Sequence, residues 1–597
     1  MTAYAAPLSE MRFVMNELAD LGAVAALPGF EEVTPDLVDQ ILEEAGKFGA
    51  EVLAPINQTG DQQGCTFENG VVRSANGFVG AYAQFVASGW NGVAFDPEFG
   101  GQGLPWIVNT AVAEVWASAN MAFSLCPMLT QAGCELLSQH GTPEMKAAYL
   151  EKLITGEWTG TMNLTEPQAG SDLARVRMRA VKHGDHYKLT GQKIFITWGE
   201  HDLTDNIIHM VLARSPDGPP GVKGLSLFLV PKFLVNEDGS LGQRNDVRCV
   251  SIEHKMGING SPTAVLSFGD DSGAIGYLIG EENLGLHYMF MMMNNARLAV
   301  GLEGVAIAER AWQLARDFAL ERVQGRSIDG DAPEPVAIVH HPDVQRMLLS
   351  MKTQTEAARA VAYYAATCLD IAHHHPDESV RRERQAIVDL LIPVVKAWSS
   401  DIGIDVANTG IQVHGGMGYI EESGAPQHLR DARIAAIYEG TNGIQAADLV
   451  GRKVARENGA TATAFVAMVR ALDGELAPSA TDDLQAIRER LRAATQDLAE
   501  ATDWLVRTSP SDPRNVAAGA VHYLRLLGIV AGGWQMARAA LAAENRLEAG
   551  DGDPVFLRAK VVSARFFADT YMTQSGGLLA QIRDGGAVVA SLDVAHL

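Results

Sequence analysis

The hydrophobic period of this chain changes twice, and that alternation limits what it can fold into. Between Thr159 and Ile279 the apolar residues fall into short β-branched runs, HYKLTGQKIFITW (186–198), NIIHMVLARS (206–215), GLSLFLVPKF (224–233) and TAVLSFGD (263–270), set among Gly, Asp, Asn and Pro. That is the pattern of strands joined by turns. On either side the period is helical, as in LVDQILEEAGKFGAEVL, where Leu37, Ile41, Ala45 and Phe48 recur at three- and four-residue spacing. No strand–helix alternation, no GxGxxG after a strand and no P-loop is present, which disfavours a dinucleotide-binding βαβ domain. The spacing predicts a mainly α protein with a central β-domain. Residues 1–158 form an N-terminal helical domain, 159–279 a small β-sandwich or barrel, 280–458 a helical bundle and 459–597 a further helical domain. Residues 286–323 read as one helix of about 55 Å, followed by helices near 342–373 and 379–410, with later breaks at 508–513 and 549–554.

At 597 residues the chain is too long for a single core. Its net charge of −25 argues against a nucleic-acid partner. The five cysteines are scattered, without CxxC or zinc-ligand spacing, so neither a disulfide framework nor a metal is expected. The N-terminus lacks the charged and apolar regions of a signal peptide. The apolar run 528–543 contains Arg538 and falls short of the ~20 residues of a spanning helix. The expectation is a soluble, cytoplasmic protein with no integral membrane segment.

Taken singly, no motif names a reaction. IYEGTNGIQ (437–445) carries one acid, Glu439, in a Gly-punctuated turn; a solvated loop carboxylate is the bland reading. QVHGGMGY (412–419) could turn its backbone amides toward a phosphate or be a plain helix connection. TEPQAGSDL (165–173) could line a ligand or simply lead into the β-domain. In order along the chain, however, TEPQAGSD, GQKIFITWG, EHKMGINGSP, IGEENLG, RLAVGLEGVAIAERA, QVHGGMGY and IYEGTNGIQ resemble the acyl-CoA dehydrogenase family, from about residue 40 to 455.

The resemblance implies the family fold (N-terminal helical domain, middle β-barrel or sandwich, C-terminal four-helix bundle) and an FAD held by the middle domain, the bundle and a neighbouring subunit. It implies that Met162, Leu164, Thr165, Gly170 and Ser171 line the flavin or pantetheine side, with Phe195 and Thr197 against the ring. Arg322, Gln412 and Gly416 would reach the diphosphate of the other subunit's FAD, and Thr441 would also touch cofactor. Glu439 matches the family's catalytic carboxylate. It would take the α-proton of an acyl-CoA thioester while hydride passes from the β-carbon to flavin N5, giving the trans-2-enoyl-CoA. Ser171, Asn294, Arg297 and Gly440 match substrate-side positions. Some members carry the base on the long helix, but here that position is Ala296, so the resemblance selects Glu439. Departures are Arg322-Val-Gln-Gly325, lacking the family's Phe, Gly443 where Gln is frequent, and Trp198 where Asn is frequent.

The long C-terminal tail, the opening APLSEMRFVMNEL and the ITWGEHD block resemble the long bacterial forms of the family. These include enzymes of dimethylsulfoniopropionate breakdown acting on 3-(methylthio)propanoyl-CoA. The tail would pack in place of a second dimer, leaving a homodimer, and an electron-transfer flavoprotein would accept the electrons. A medium- or long-chain dehydrogenase, an acyl-CoA oxidase, and a CoA-thioester-binding scaffold without catalysis remain open alternatives. The acyl-CoA series, the oxygen dependence of turnover and flavin absorbance discriminate them.

Overall fold

The computed structural model describes residues 4–329, 334–479 and 481–596. Packing groups the chain into two units, Glu44–Ala299, and Met1–Glu43 with Val300–Leu597.

In the unit Glu44–Ala299, helices α1 (Phe78–Ala87), α2 (Trp106–Ala119) and α3 (Met121–His140) accompany a two-stranded hairpin, β1 (Thr66–Glu68) and β2 (Val71–Arg73), in a stretch expected to be helical. The remaining strands are β3 (Thr159–Asn163), β4 (Arg179–His183), β5 (His186–Thr197), β6 (Ile207–Arg214), β7 (Leu225–Pro231), β8 (Phe233–Val235), β9 (Leu241–Arg244), β10 (Val247–Ile252), β11 (Thr263–Phe268) and β12 (Ala274–Ile279). The eight-stranded sheet runs β10-β11-β5-β12-β7-β6-β3, with β4 beside β5 and β6. β5 joins its two halves, pairing with β12 along Tyr187–Leu189 and with β11 along Gly191–Thr197. β6 and β7 are buried almost throughout, as strands covered on both faces must be, so they show as continuous apolar runs. β3, β4 and β10 are short and interrupted by polar residues, and the sequence reading passed over them. The helices dock on the sheet through Thr130 of α3, whose hydroxyl accepts from Gly160 N of β3 at 3.0 Å.

The other unit is helical: α4 (Gly285–Glu321), which begins in the first unit, α5 (Pro342–His374), α6 (Glu378–His414), α7 (Asn442–Asp448), α8 (Ala460–Leu476), α9 (Asp482–Thr508), α10 (Pro513–Ala549), α11 (Pro554–Thr570) and α12 (Ser575–Ser591). α4 and α6 approach closely because Gly301 and Gly304 lack side chains. A Cβ there would stand 2.5 Å from the Val395 carbonyl oxygen and 2.2 Å from that of Ser399. The C-terminal helices are built into this unit. Thr353 Oγ1 donates to the Ser563 carbonyl at 2.8 Å, and Ser350 bonds Tyr571 at 2.6 Å. The N-terminal segment joins it through the buried ammonium of Lys560, 2.7 Å from Glu10 and 3.4 Å from Glu356, and through Arg538, which donates to the Leu18 carbonyl at 2.7 Å. The expectation about the run 528–543 needs correction. It lies inside α10, a 37-residue helix long and apolar enough to cross a membrane by length and composition, with 72% of its most apolar window buried inside the protein.

Candidate active site

The segment Tyr438–Asn442 turns between a short helix and α7. Glu439 takes φ +54°, left-handed for a residue with a Cβ, and Gly440 follows at +84°. A non-glycine residue in that region costs on the order of 1 kcal/mol, so the surroundings must impose it. Gln445, fully buried on α7, donates from Nε2 to the Glu439 carbonyl at 2.9 Å. Lys396 of α6 donates to the Gly440 carbonyl at 2.8 Å and to Asn442 Oδ1 at 2.9 Å. The Asn442 amide reaches Asp401 at 2.7 Å, Ser400 at 3.0 Å and the Ala397 carbonyl at 3.1 Å. Thr441 caps α7, its hydroxyl accepting from Ile444 N at 3.3 Å. Behind the loop the Tyr438 hydroxyl donates to Glu303 of α4. Burial pushes the Glu303 carboxyl up to about 8, opposed by Tyr438 and Lys396 and reinforced by the nearby charge of Glu439. Between Lys396 and Ser400, which face the loop, Trp398 points the other way. Its indole fills a notch on α10, where a Cβ on Gly528 or Gly532 would fall 2.6 or 2.5 Å from ring carbons.

In the β-containing unit a second group of expected residues converges on the end of β5. A bulge sets Ile194 and Phe195 opposite the single residue Val265 of β11. Phe195 has φ +60° and leaves 59% of its surface exposed. Such bulges re-aim a side chain, and here a large aromatic ring is turned outward. Ile194 N donates to the Thr165 carbonyl at 3.0 Å, which lays the 164–166 segment beside the bulge. Half-buried Leu164 sits on this segment, half-buried Met162 precedes it on β3, and Thr197 ends β5. Lys193, fully buried, braces the turn from behind, donating to the Leu164 carbonyl at 2.8 Å and to Glu166 Oε1 at 3.0 Å. Burial pulls the Lys193 ammonium down to about 8 against the attraction of Glu166. Burial alone would raise Glu166, but Lys193 and the backbone N–H groups of Arg177 and Met178 hold it below its usual range. The pair therefore stays ionised at neutral pH and fixes the turn 166–169, beyond which Gly170 and Ser171 are exposed. No neighbour lies within 4 Å of a Cβ built on Gly170. Trp198, which departs from the family pattern, is an anchor: it is buried and its Nε1 donates to the Ala122 carbonyl at 3.1 Å.

The other expected residues take clear places. Asn294 and Arg297 are neighbours on α4, with Arg297 Nη1 3.5 Å from Asn294 Oδ1 and its guanidinium 5.9 Å from the Phe290 ring centre. Ala296 is buried. Arg322, Gln412 and Gly416 are exposed at one end of the bundle. Phe318, one turn before Arg322, stacks on His414 between Gln412 and Gly416 at 4.4 Å. Met417, Tyr419 and Ile420 on the adjoining turn are exposed as well, Tyr419 by 88%. Glu303, Lys396, Asn442, Gln445 and Tyr438 escaped the sequence reading. Each stands in an ordinary helical or loop context, and only a buried polar residue on an otherwise apolar helix face, as at Glu303 and Lys396, could have pointed to them.

Comparison with known proteins places these features. Acyl-CoA dehydrogenase N-terminal, middle and C-terminal domain families match residues 36–157, 161–270 and 283–454, and an acetyl-CoA dehydrogenase C-terminal-like family matches 460–593. A 3-methylmercaptopropionyl-CoA dehydrogenase of Ruegeria pomeroyi is 48% identical over 584 residues, 98% of each chain. A butyryl-CoA dehydrogenase of Syntrophomonas wolfei is 33% identical over 579 residues, 94% of each. In fold, the chain is similar to an acyl-CoA dehydrogenase from Bacillus anthracis solved as a complex with FAD, with a TM-score of 0.73 at 20% identity, covering 98% of this chain and 92% of that one.

Proposed function

This chain belongs to the acyl-CoA dehydrogenase family, and we propose that it dehydrogenates a short acyl-CoA at Cα–Cβ, with 3-(methylthio)propanoyl-CoA giving 3-(methylthio)acryloyl-CoA as its reaction. The observation that carries this reading is Glu439, held in a left-handed turn by Gln445 and flanked by a Gly440 carbonyl that Lys396 fixes. A thioester α-proton is weakly acidic, so its removal needs a positioned base and stabilisation of the developing enolate. Glu439 would take that proton, and its backbone N–H would donate to the thioester oxygen. The 48% likeness to the Ruegeria enzyme over its whole length supports the substrate.

The residues present fit an FAD. An exposed Phe195 ring near half-buried Leu164 offers an apolar face, and a Cβ built on Gly170 would meet nothing within 4 Å. Thr165, Ser171 and Thr197 would supply polar contacts there, Arg322 with Gln412 and Gly416 would hold the diphosphate of the other subunit's FAD, and Thr441 would also contact cofactor. Bound FAD would supply the two-electron acceptor for the β-hydrogen. The exposed apolar turn Met417–Ile420 beside Arg322 and Gln412 supports a homodimer in which this end of the bundle meets a partner. An electron-transfer flavoprotein would reoxidise the cofactor, and the chain would work in the cytoplasm.

The test is kcat/KM with an artificial electron acceptor across 3-(methylthio)propanoyl-, butanoyl-, pentanoyl- and palmitoyl-CoA. One methylene in an apolar pocket is worth about 1–3 kcal/mol, so the short substrates should differ modestly and palmitoyl-CoA should be poor. A steady rise peaking at about twelve carbons or more would overturn the short-chain reading.

A further inference from the structure

Glu303 lies on α4 where that helix crosses α6, and it is 2% exposed. Among the described residues its side chain makes one hydrogen bond, to the Tyr438 hydroxyl through Oε2, while Oε1 is buried without a partner. The charged and titratable groups facing it are Tyr438 and Glu439 from the loop and Lys396 from α6. Lys396 gives its ammonium to the Gly440 carbonyl and to Asn442. A buried carboxylate needs several donors or a cation in contact, whereas a buried carboxylic acid does not. Glu303 thus has the surroundings of an acid, one residue behind the carboxylate assigned above as the base.

We propose that Glu303 is a positioning residue for this reaction: a carboxylic acid kept neutral behind Tyr438, which orients the Tyr438–Glu439 segment while adding no charge beside Glu439. The proposal rests on the reading of Glu439 as base. Its chemical reason is charge. A second carboxylate here would oppose the negative charge that develops on the substrate as the α-proton leaves. The two carboxyls are coupled, since each is easier to ionise when the other is neutral. Burial, with Glu439 ionised nearby, raises the Glu303 carboxyl to about 8, so the neutral form prevails at pH 7 and is lost above that value. Tyr438, by hydrogen bonding to Glu303, holds it lower than burial alone would.

Two measurements test this. In pH profiles of kcat/KM the wild type should fall on the alkaline side near pH 8. Glu303→Gln, neutral at every pH, should keep neutral-pH activity within about threefold and lose that alkaline fall. Tyr438→Phe should move the fall to higher pH. Independently of turnover, infrared difference spectra should show a protonated-carboxyl band that is absent in Glu303→Gln. That band should disappear at lower pH in Glu439→Gln, where the neighbouring charge is gone. An unchanged alkaline limb in Glu303→Gln, or, should that variant not fold, an unchanged limb in Tyr438→Phe, overturns the proposal. So does a carboxyl band indifferent to Glu439→Gln. If Glu439→Gln keeps its turnover, the assignment of the base fails instead, while the band still reports whether Glu303 is neutral.

Discussion

At the scale of single residues, Glu439 is the position that the family resemblance offers as the base. The YEGT motif singles it out, and the structure adds the left-handed backbone and the Gln445, Lys396 and Asn442 contacts that hold its loop. Glu439→Gln is nearly isosteric and cannot accept a proton. It should retain FAD and acyl-CoA binding yet lose at least ~10³-fold in rate, the loss expected for a positioned base. Stopped-flow flavin reduction measures this, and more than a tenth of wild-type rate would remove Glu439 from the role. The family motif proposes Phe195 as a ring-side residue, and its outward aim depends on a bulge that is visible only once β5 is paired with β11. Glu303 and Lys396 were not legible, because a lone charged residue on a helix looks alike whether it faces water or a loop.

At the scale of elements, the helix periods proved reliable and the strand reading partial. The long helix expected over 286–323 is Gly285–Glu321, and the breaks at 508–513 and 549–554 separate α9, α10 and α11. Short strands interrupted by polar residues, such as β4 and β10, were missed because they show neither a continuous apolar run nor a strict alternation. The coupling between α6 and α10 is likewise tertiary: Trp398, on the helix that carries Lys396 and Ser400, seats on Gly528 and Gly532. Gly528→Ala would place a methyl 2.6 Å from the indole. Overpacking of this kind costs about 1–3 kcal/mol. We expect a lower Tm in thermal unfolding and a reduced kcat, since α6 holds the Glu439 loop. Gly577→Ala, exposed on α12 with open space around its Cβ, should change neither.

At the scale of the whole molecule, the N-terminal segment shows what composition cannot reveal. Residues 4–43 group with the bundle and the C-terminal helices, tied by Glu10 to Lys560 and by the Leu18 carbonyl to Arg538. Assembly is the other question at this scale. If Arg322 and Gln412 hold the diphosphate of a cofactor shared by two subunits, Arg322→Ala removes a charge-assisted phosphate contact. FAD retention should then weaken more than folding does, and dimer and holoprotein should decline together on dilution. Sedimentation with flavin absorbance reads both, and a fully flavinated monomer would refute the shared site.

Consecutive residues carry the order of helical and β segments, the family, and the position proposed above as the base. Hydrophobic period and motif chemistry are local properties written in consecutive residues. Tertiary packing alone sets which polar side chains surround that position, that Trp398 rests on the glycines of α10, and that Glu10 and Leu18 meet Lys560 and Arg538. Most of those facts depend on contacts between residues tens to hundreds of positions apart, where burial and close approach, not local preference, set the free energy.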